Sequence, residues 1–469
     1  MNNLSPPVTP EEAAKVRRKI DLRLPPFLLV LYMFTWLDRG ALGNAALMGI
    51  REEMPLTGPQ FSLAVSMFFV GTCIADLFTN IGMKYIRPSW YLAGAMITWG
   101  VFATLQAVAN GAPGMYATRF FLGVFEAAFI AGAPYLTTVM YPRGEWGKRI
   151  CVYLAGTPLA GAFGGWVAYG VSHLDSHPTL KNWQILFILE GVLTIAFGIS
   201  CIWVLPDRPH NTRWLTPRER DVAEWRMLVD GNRTRGKINW RTTLAQLKDW
   251  RLLANIAIYM GQVLSTYTIA TFTPIIVATF GYDNVKAQLM VAPPYCVALV
   301  FLFVVGYLSD RFGTCSGLLV VNSVVAATGD LMLALLPASY NHARYAATFL
   351  VITGILSGVV LSLGNITSNC CGDAKKAIAN GLLQACGSTM GIATGYLFPS
   401  KDGPSYKVEF WTLFAATVWT GVGAGIVTVV NARENGRRDA MYGKGEEGVA
   451  VDFEEGGLME RHPYWRYYL

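Results

Sequence analysis

Long apolar runs alternate with short polar breaks along almost the whole chain. The first run predicts a helix over 25–47, and others follow over 59–83, 90–109, 113–140, 149–171 and 183–205. After a polar stretch the pattern resumes over 253–279, 287–308, 316–337, 344–368, 378–399 and 407–431. About 20 consecutive apolar residues suffice for a helix to cross a bilayer. The pattern therefore predicts an all-α membrane protein with twelve transmembrane helices.

Lys and Arg sort to one side of these helices. With both tails placed inside, only Arg51, Lys181, Lys286, Arg344, Lys401 and Lys407 fall outside, while Arg39 and Arg119 fall within the membrane. That bias satisfies the positive-inside rule and predicts cytoplasmic termini. Two loops also repeat. Gly82-Met-Lys-Tyr-Ile-Arg87 after the second helix matches Gly306-Tyr-Leu-Ser-Asp310-Arg311-Phe-Gly313 after the eighth. Gly144-Glu-Trp-Gly-Lys-Arg-Ile150 after the fourth matches Gly372-Asp-Ala-Lys-Lys-Ala-Ile378 after the tenth.

The repeat predicts two pseudo-symmetric six-helix halves, 25–205 and 253–431, with an N-tail (1–24), a linker (206–252) and a C-tail (432–469). In folds built from such repeats, solute binds near the midplane at the repeat interface. Asp310 and Arg311 of the repeated loop are assigned a gate or structural role. Within the linker, Thr216-Pro-Arg-Glu219 reads as a capping box with Pro217 at the first helical position. A short surface helix to about Val229 is expected there.

Composition sharpens the class. The chain is 53% hydrophobic and 15% charged, whereas a soluble domain carries about 25% charged residues. The net charge of +7 lies mostly in loops and tails and is no signal for nucleic acid. Polar residues 1–23 predict no cleaved signal peptide. The eight cysteines fall in helices or at their inner ends, so no disulfide framework is expected. The five histidines lie in loops or tails, which argues against a zinc site or a histidine relay in the membrane. No cofactor is implied, and no nucleophile–base set suggests an enzyme.

Four charges stand where lipid is expected. Asp38 and Arg39 interrupt the first run, and Arg119-Phe-Phe-Leu-Gly-Val-Phe-Glu126 interrupts the fourth. A charge at membrane depth costs roughly 3 kcal/mol on insertion scales, and such residues line solute or ion pathways by default. Helical rise places Asp38 and Arg39 about 20 Å from the inner face and Arg119 about 9 Å from the outer face of a ~30 Å core, at similar depth. Seven residues nearly close two turns, so Glu126 shares a face with Arg119. Arginine stays charged and grips a carboxylate with two parallel hydrogen bonds. It can hold an anion, and the carboxyl groups of Asp38 and Glu126 can carry a proton. The competing reading is that these four residues lock two helices together.

Other polar residues at depth are weaker signals. Asp76 fits a gate contact and Glu190 a structural role, while Asp330 has no evident partner. The second half offers Tyr267, Thr271, Asn365 and Gln384 as solute contacts, although each residue type more often bonds neighbouring helices. The glycines of Gly156-Thr-Pro-Leu-Ala-Gly161-Ala-Phe-Gly164-Gly165 suit close helix packing.

These residues together resemble the anion:cation symporter family of the major facilitator superfamily, and more narrowly its fungal allantoate permease branch, with nicotinate, pantothenate and biotin permeases. The resemblance spans nearly the whole chain. It rests on Leu37-Asp-Arg39 with Gly43-Asn-Ala45, Arg119 to Glu126, Leu186-Phe-Ile-Leu-Glu190-Gly191, Tyr267 with Pro274, Lys375-Lys376 with Asn380, and Trp465-Arg-Tyr-Tyr-Leu469. The resemblance implies that Arg39 and Arg119 bind the anion and that Asp38 and Glu126 take part in proton coupling. Three positions depart from the family. Gly40-Ala41 replaces Thr-Asn, Asp76-Leu-Phe-Thr-Asn80 replaces an acid-Val-Pro-Ser-Asn pattern, and Gln184 replaces an Arg. The first change leaves room for a larger or less polar anion.

The expected function is proton-coupled symport of a small organic anion across a plasma membrane by a monomer with both termini cytoplasmic. The alternatives are export of a secondary metabolite and non-transporting nutrient sensing.

Overall fold

The computed structural model describes residues 8–54, 56–142, 145–174, 180–229, 249–370, 373–399, 403, 406–443 and 465–467. Gly144 and Gly372 of the repeated loops, and Tyr468 and Leu469 of the tail motif, lie outside them, as does the linker over 230–248. All regular structure among the described residues is helical.

The helices up to residue 229 are α1 (Pro10–Asp21), α2 (Leu24–Leu47), α3 (Ile50–Glu53), α4 (Gly58–Tyr85), α5 (Pro88–Leu105), α6 (Gly111–Met140), α7 (Trp146–Leu154), α8 (Gly156–Ser172), α9 (Asn182–Val204) and α10 (Pro217–Val229). Those from residue 250 onward are α11 (Trp250–Ala278), α12 (Asn284–Phe312), α13 (Ser316–Leu335), α14 (Asn341–Asn369), α15 (Asp373–Thr394) and α16 (Lys407–Tyr442).

Among the described residues, 11 helical stretches are long and apolar enough to cross a membrane. The remaining expected span, 378–399, corresponds to α15. It is helical, but Asn380, Gln384, Ser388 and Thr389 dilute its apolar character.

The chain forms two compact units, one of residues 1–235, 270–293 and 392–401, the other of 236–269, 294–391 and 402–469. In the first unit α4 packs on α6, α5 on α9, and α2 on α7, α8 and α9. Glycine permits close approach: a Cβ at Gly191 would collide with the Thr104 hydroxyl and come within 2.7 Å of the Thr104 nitrogen. This draws α9 against α5 beside Glu190.

The N-tail is more ordered than its polarity suggested. Thr9-Pro10-Glu-Glu12 forms a capping box that starts α1. The same pattern starts α10, where Thr216 N donates to Glu219 Oε2 at 2.8 Å and Glu219 N to Thr216 Oγ1 at 3.3 Å. The two helices pair reciprocally through these capping glutamates. Lys19 donates to Glu219 at 2.6 Å, and Arg218 to Glu12 at 3.1 Å. Arg149 clasps both Asp21 oxygens at 2.9 and 2.7 Å, and Arg226 bonds both Glu145 oxygens at 2.8 and 2.7 Å. The N-tail, the segment before α7 and the linker thus share one ionic mat. Partial burial alone would raise the Glu219 carboxyl. The Lys19 ammonium and the Thr216 backbone N–H outweigh it and hold the group below the usual carboxylate range.

The first unit also takes in the end of α11, the start of α12 and the end of α15. Small residues form this joint. A Cβ at Gly43 would collide with the Thr271 carbonyl oxygen. Ser66 Oγ donates to the Ile392 carbonyl at 2.8 Å, and Ser172 Oγ to Gln288 Oε1 at 2.8 Å.

The second unit has an apolar core of Ile258, Val305, Leu319, Leu361, Ala424 and Val427, drawn from α11, α12, α13, α14 and α16. Polar pairs cross it. Thr417 Oγ1 donates to Asp330 Oδ2 at 2.8 Å, which supplies the partner that the sequence did not reveal. From the tail, Tyr467 exchanges backbone bonds with the Asn435 amide at 2.8 and 2.9 Å, and its ring lies under Arg251 and Arg438.

Candidate functional site

The first unit gathers the charges singled out above. Asp38 and Arg39 come from α2, Arg119 and Glu126 from α6. Their exposures are 2%, 5%, 2% and 0%, so all four are out of water. Consecutive residues on a helix point about 100° apart, so Asp38 and Arg39 meet different neighbours.

Arg39 turns to Glu126. Its Nε donates to Glu126 Oε1 at 2.9 Å, and its Nη2 lies 2.8 Å from the same oxygen. Its guanidinium also faces the Trp36 and Phe68 rings, at 4.8 and 5.2 Å from their centroids. Such cation–π contacts add about 0.5–2 kcal/mol, more when desolvated. Glu126 Oε2 accepts no hydrogen bond among the described residues.

Asp38 turns to α5, where the Trp99 indole donates to its Oδ2 at 2.5 Å. Arg119 reaches α2 by donating from Nη1 to the Asp38 backbone carbonyl at 3.2 Å. Its Nε and Nη2 donate to nothing among the described residues. An unsatisfied buried donor costs about 1–3 kcal/mol, and more if charged. A fully buried guanidinium with two nitrogens that donate to nothing is therefore an expensive feature for a purely structural residue.

Glu190 on α9 joins this group. It is 3% exposed, lies within electrostatic reach of Asp38 and Arg119, and neither carboxyl oxygen accepts a hydrogen bond among the described residues. Its sequence signal was the same as for the other four, an ionised residue type within an apolar run. Trp36 and Trp99 gave no such signal, because tryptophan is ordinary in a membrane helix; only the three-residue spacing of Trp36 from Arg39 hinted at a shared face. Among the described residues no group of three or more His, Cys, Asp or Glu is placed to hold a metal ion.

The other expected residues divide. Thr271 sits in the joint, its backbone against Gly43, one helical turn beyond Arg39. Asn365 is held between helices: Ser316 and Asn369 donate to its oxygen at 2.8 and 2.7 Å, and its nitrogen donates to Asn255 at 2.7 Å. Tyr267 is buried on α11, and Gln384 is half-buried on α15. Asp76 is half-buried on α4, where Thr79 donates to its carbonyl at 3.4 Å. Asp310 and Arg311 are exposed near the end of α12.

Comparison with known proteins identifies the family and the fold. The Major Facilitator Superfamily profile matches residues 28–396. The MFS-type transporter efuF of Hormonema carpetanum is 31% identical over 433 residues, covering 91% of this chain and 87% of the relative. The major facilitator-type transporter hxnP of Emericella nidulans is 31% identical over 461 residues, covering 96% and 92%. The crystal structure of a D-xylose-proton symporter superposes with a TM-score of 0.66 at 13% identity, over 87% of this chain and 97% of the other.

Proposed function

The chain belongs to the major facilitator superfamily, and from that premise we propose that it carries a small organic anion together with a proton across the plasma membrane, its termini in the cytoplasm. The observation that supports the reading is Arg119. It is buried, two of its nitrogens donate to nothing among the described residues, and Asp38, Glu190 and Glu126 lie within its electrostatic reach.

A carboxylate solute has the shape to take both free N–H groups in a forked contact. Arg39 is engaged by Glu126 in the arrangement seen. An entering anion that also drew on Arg39 would loosen that pair and make a proton on Glu126 easier to hold. Asp38, bonded to Trp99 and near Arg119, responds to the same charge. One monoanion and one added proton leave the net charge of the site unchanged, which spares a low-dielectric interior an unpaired charge. Rocking of the two repeats about the site would then expose it to each side in turn.

The experiment is uptake into proteoliposomes carrying an imposed pH gradient, with a panel of radiolabelled carboxylates. We expect an inward pH gradient to drive accumulation and a protonophore to abolish it. Accumulation indifferent to the protonophore would end the proton-coupled reading.

A further inference from the structure

Glu190 is the charged group that the transport reading leaves idle. Asp38 on α2 and Arg119 on α6 lie within its electrostatic reach, and Gly191 beside it packs on Gly100 of α5, next to the Trp99 that bonds Asp38. The other helices against α9, α5 and α8, carry no Asp, Glu, Lys, Arg or His. Thr194 bonds the Glu190 backbone carbonyl at 2.9 Å and leaves the carboxyl group alone. Among the described residues both carboxyl oxygens are buried and accept nothing, while Nε and Nη2 of Arg119 donate to nothing. Unspent acceptors and unspent donors therefore share one buried cluster without joining.

Charge balance accounts for that arrangement. With Asp38, Glu126 and Glu190 all ionised, three negative charges would face the two positive charges of Arg39 and Arg119. A desolvated carboxylate with no donor is strongly disfavoured. With Glu190 neutral, two carboxylates balance two guanidiniums, and Arg119 keeps two N–H groups free. With Glu190 ionised, its carboxylate is chemically the same ligand for Arg119 as a carboxylate solute.

We propose that Glu190 is an internal competitor for Arg119: protonated, it leaves the guanidinium to the incoming anion, and ionised, it takes the guanidinium and expels the anion. The exchange replaces one negative charge at Arg119 by another. The proton that leaves Glu190 departs with the anion to whichever side is open, so each anion is tied to one proton at this residue. The proposal rests on the reading of Arg119 as the anion site. It adds a third carboxyl group to the two assigned to proton coupling and makes the link direct, through a shared partner.

The test needs no solute. The full chain in lipid vesicles is titrated with pH while infrared difference spectra follow the protonated-carboxyl stretch. We expect a band present at neutral pH that is lost in E190Q, retained in D38N and E126Q, and restored in E190D. A band of undiminished intensity in E190Q overturns the proposal. Glu409, at the start of α16, is another buried glutamate at 3% exposure; if E190Q does not fold, the E126Q/E409Q protein labelled with carbon-13 at the glutamate carboxyls replaces it, and a band that does not shift on labelling is equally fatal. The competition is tested by R119Q, which removes the partner of the ionised form. The titration of the Glu190 band should move to higher pH, by one pH unit for each tenfold preference lost. An unmoved titration refutes the competition. Failure of proton-driven uptake would leave these spectra as expected, whereas failure of the spectra would leave uptake intact, so the two readings fall separately.

Discussion

Arg39 on α2 and Glu126 on α6 form a buried ion pair, 2.8 Å between Nη2 and Oε1, although each has an opposite charge nearer in sequence. Asp38 adjoins Arg39, and Arg119 shares a face with Glu126, yet Asp38 bonds Trp99 and Arg119 bonds a backbone carbonyl. The cross-pairing ties two helices and leaves the second guanidinium open.

Breaking this pair from one side should be severe. Glu126→Leu strands a buried guanidinium, and removing one partner of a buried pair costs about 3–5 kcal/mol. Thermal unfolding in detergent should show a large fall in Tm. The double substitution Arg39→Met with Glu126→Leu should recover most of that loss while abolishing proton-driven uptake. If the double variant transports normally, the pair is only a brace.

Arg119→Lys should spare the fold and weaken solute binding. A lysine keeps the charge but has no planar fork, and losing one charge-assisted bond of ~1.5–3 kcal/mol corresponds to roughly a tenfold to hundredfold loss of affinity. Concentration dependence of uptake in proteoliposomes measures it. An unchanged apparent affinity would remove Arg119 from the binding site.

Gly43→Val should open the joint between α2 and the end of α11. A side chain there meets the Thr271 carbonyl, and backbone cannot yield as a side chain does. Overpacking of this kind costs about 1–3 kcal/mol. In a Thr271→Cys background, thiol labelling by a water-soluble maleimide should be faster once Gly43→Val is added than with the glycine in place. Equal rates would show that the joint tolerates the bulk.

The α1–α10 contact should weaken in acid and in salt. Lys19 and Thr216 hold the Glu219 carboxyl below the usual carboxylate range against the effect of burial. Its pair with Lys19 therefore stabilises docking above that range, and the stabilisation is lost as pH falls through the lowered value. High salt screens the same partly exposed pair. Limited proteolysis of the N-tail should accelerate under both conditions, and Glu219→Gln should cut at the acid rate already at neutral pH. Identical rates for wild type and variant at neutral pH would assign the contact no energetic weight.

The sequence by itself determined the helical class and nearly all the spans, and it singled out four of the five charges of the candidate site. Hydropathy is a local property that each span carries in its own residues, and a charge inside an apolar run is visible without any neighbour. A cap is equally local: Thr216-Pro-Arg-Glu219 announced α10. The same pattern at Thr9 caps α1, a helix not predicted from the sequence in so polar a segment. Partnership was not local. Which carboxyl group meets which guanidinium depends on how α2, α5, α6 and α9 rotate and approach, and that follows from packing such as the close fit of Gly191 against Thr104. Only the tertiary structure paired Arg39 with Glu126, gave Asp330 to Thr417 and brought Glu190 within electrostatic reach of Arg119. The energies of buried charges are set by what lies within a few ångströms in space, and that distance is not written along the chain.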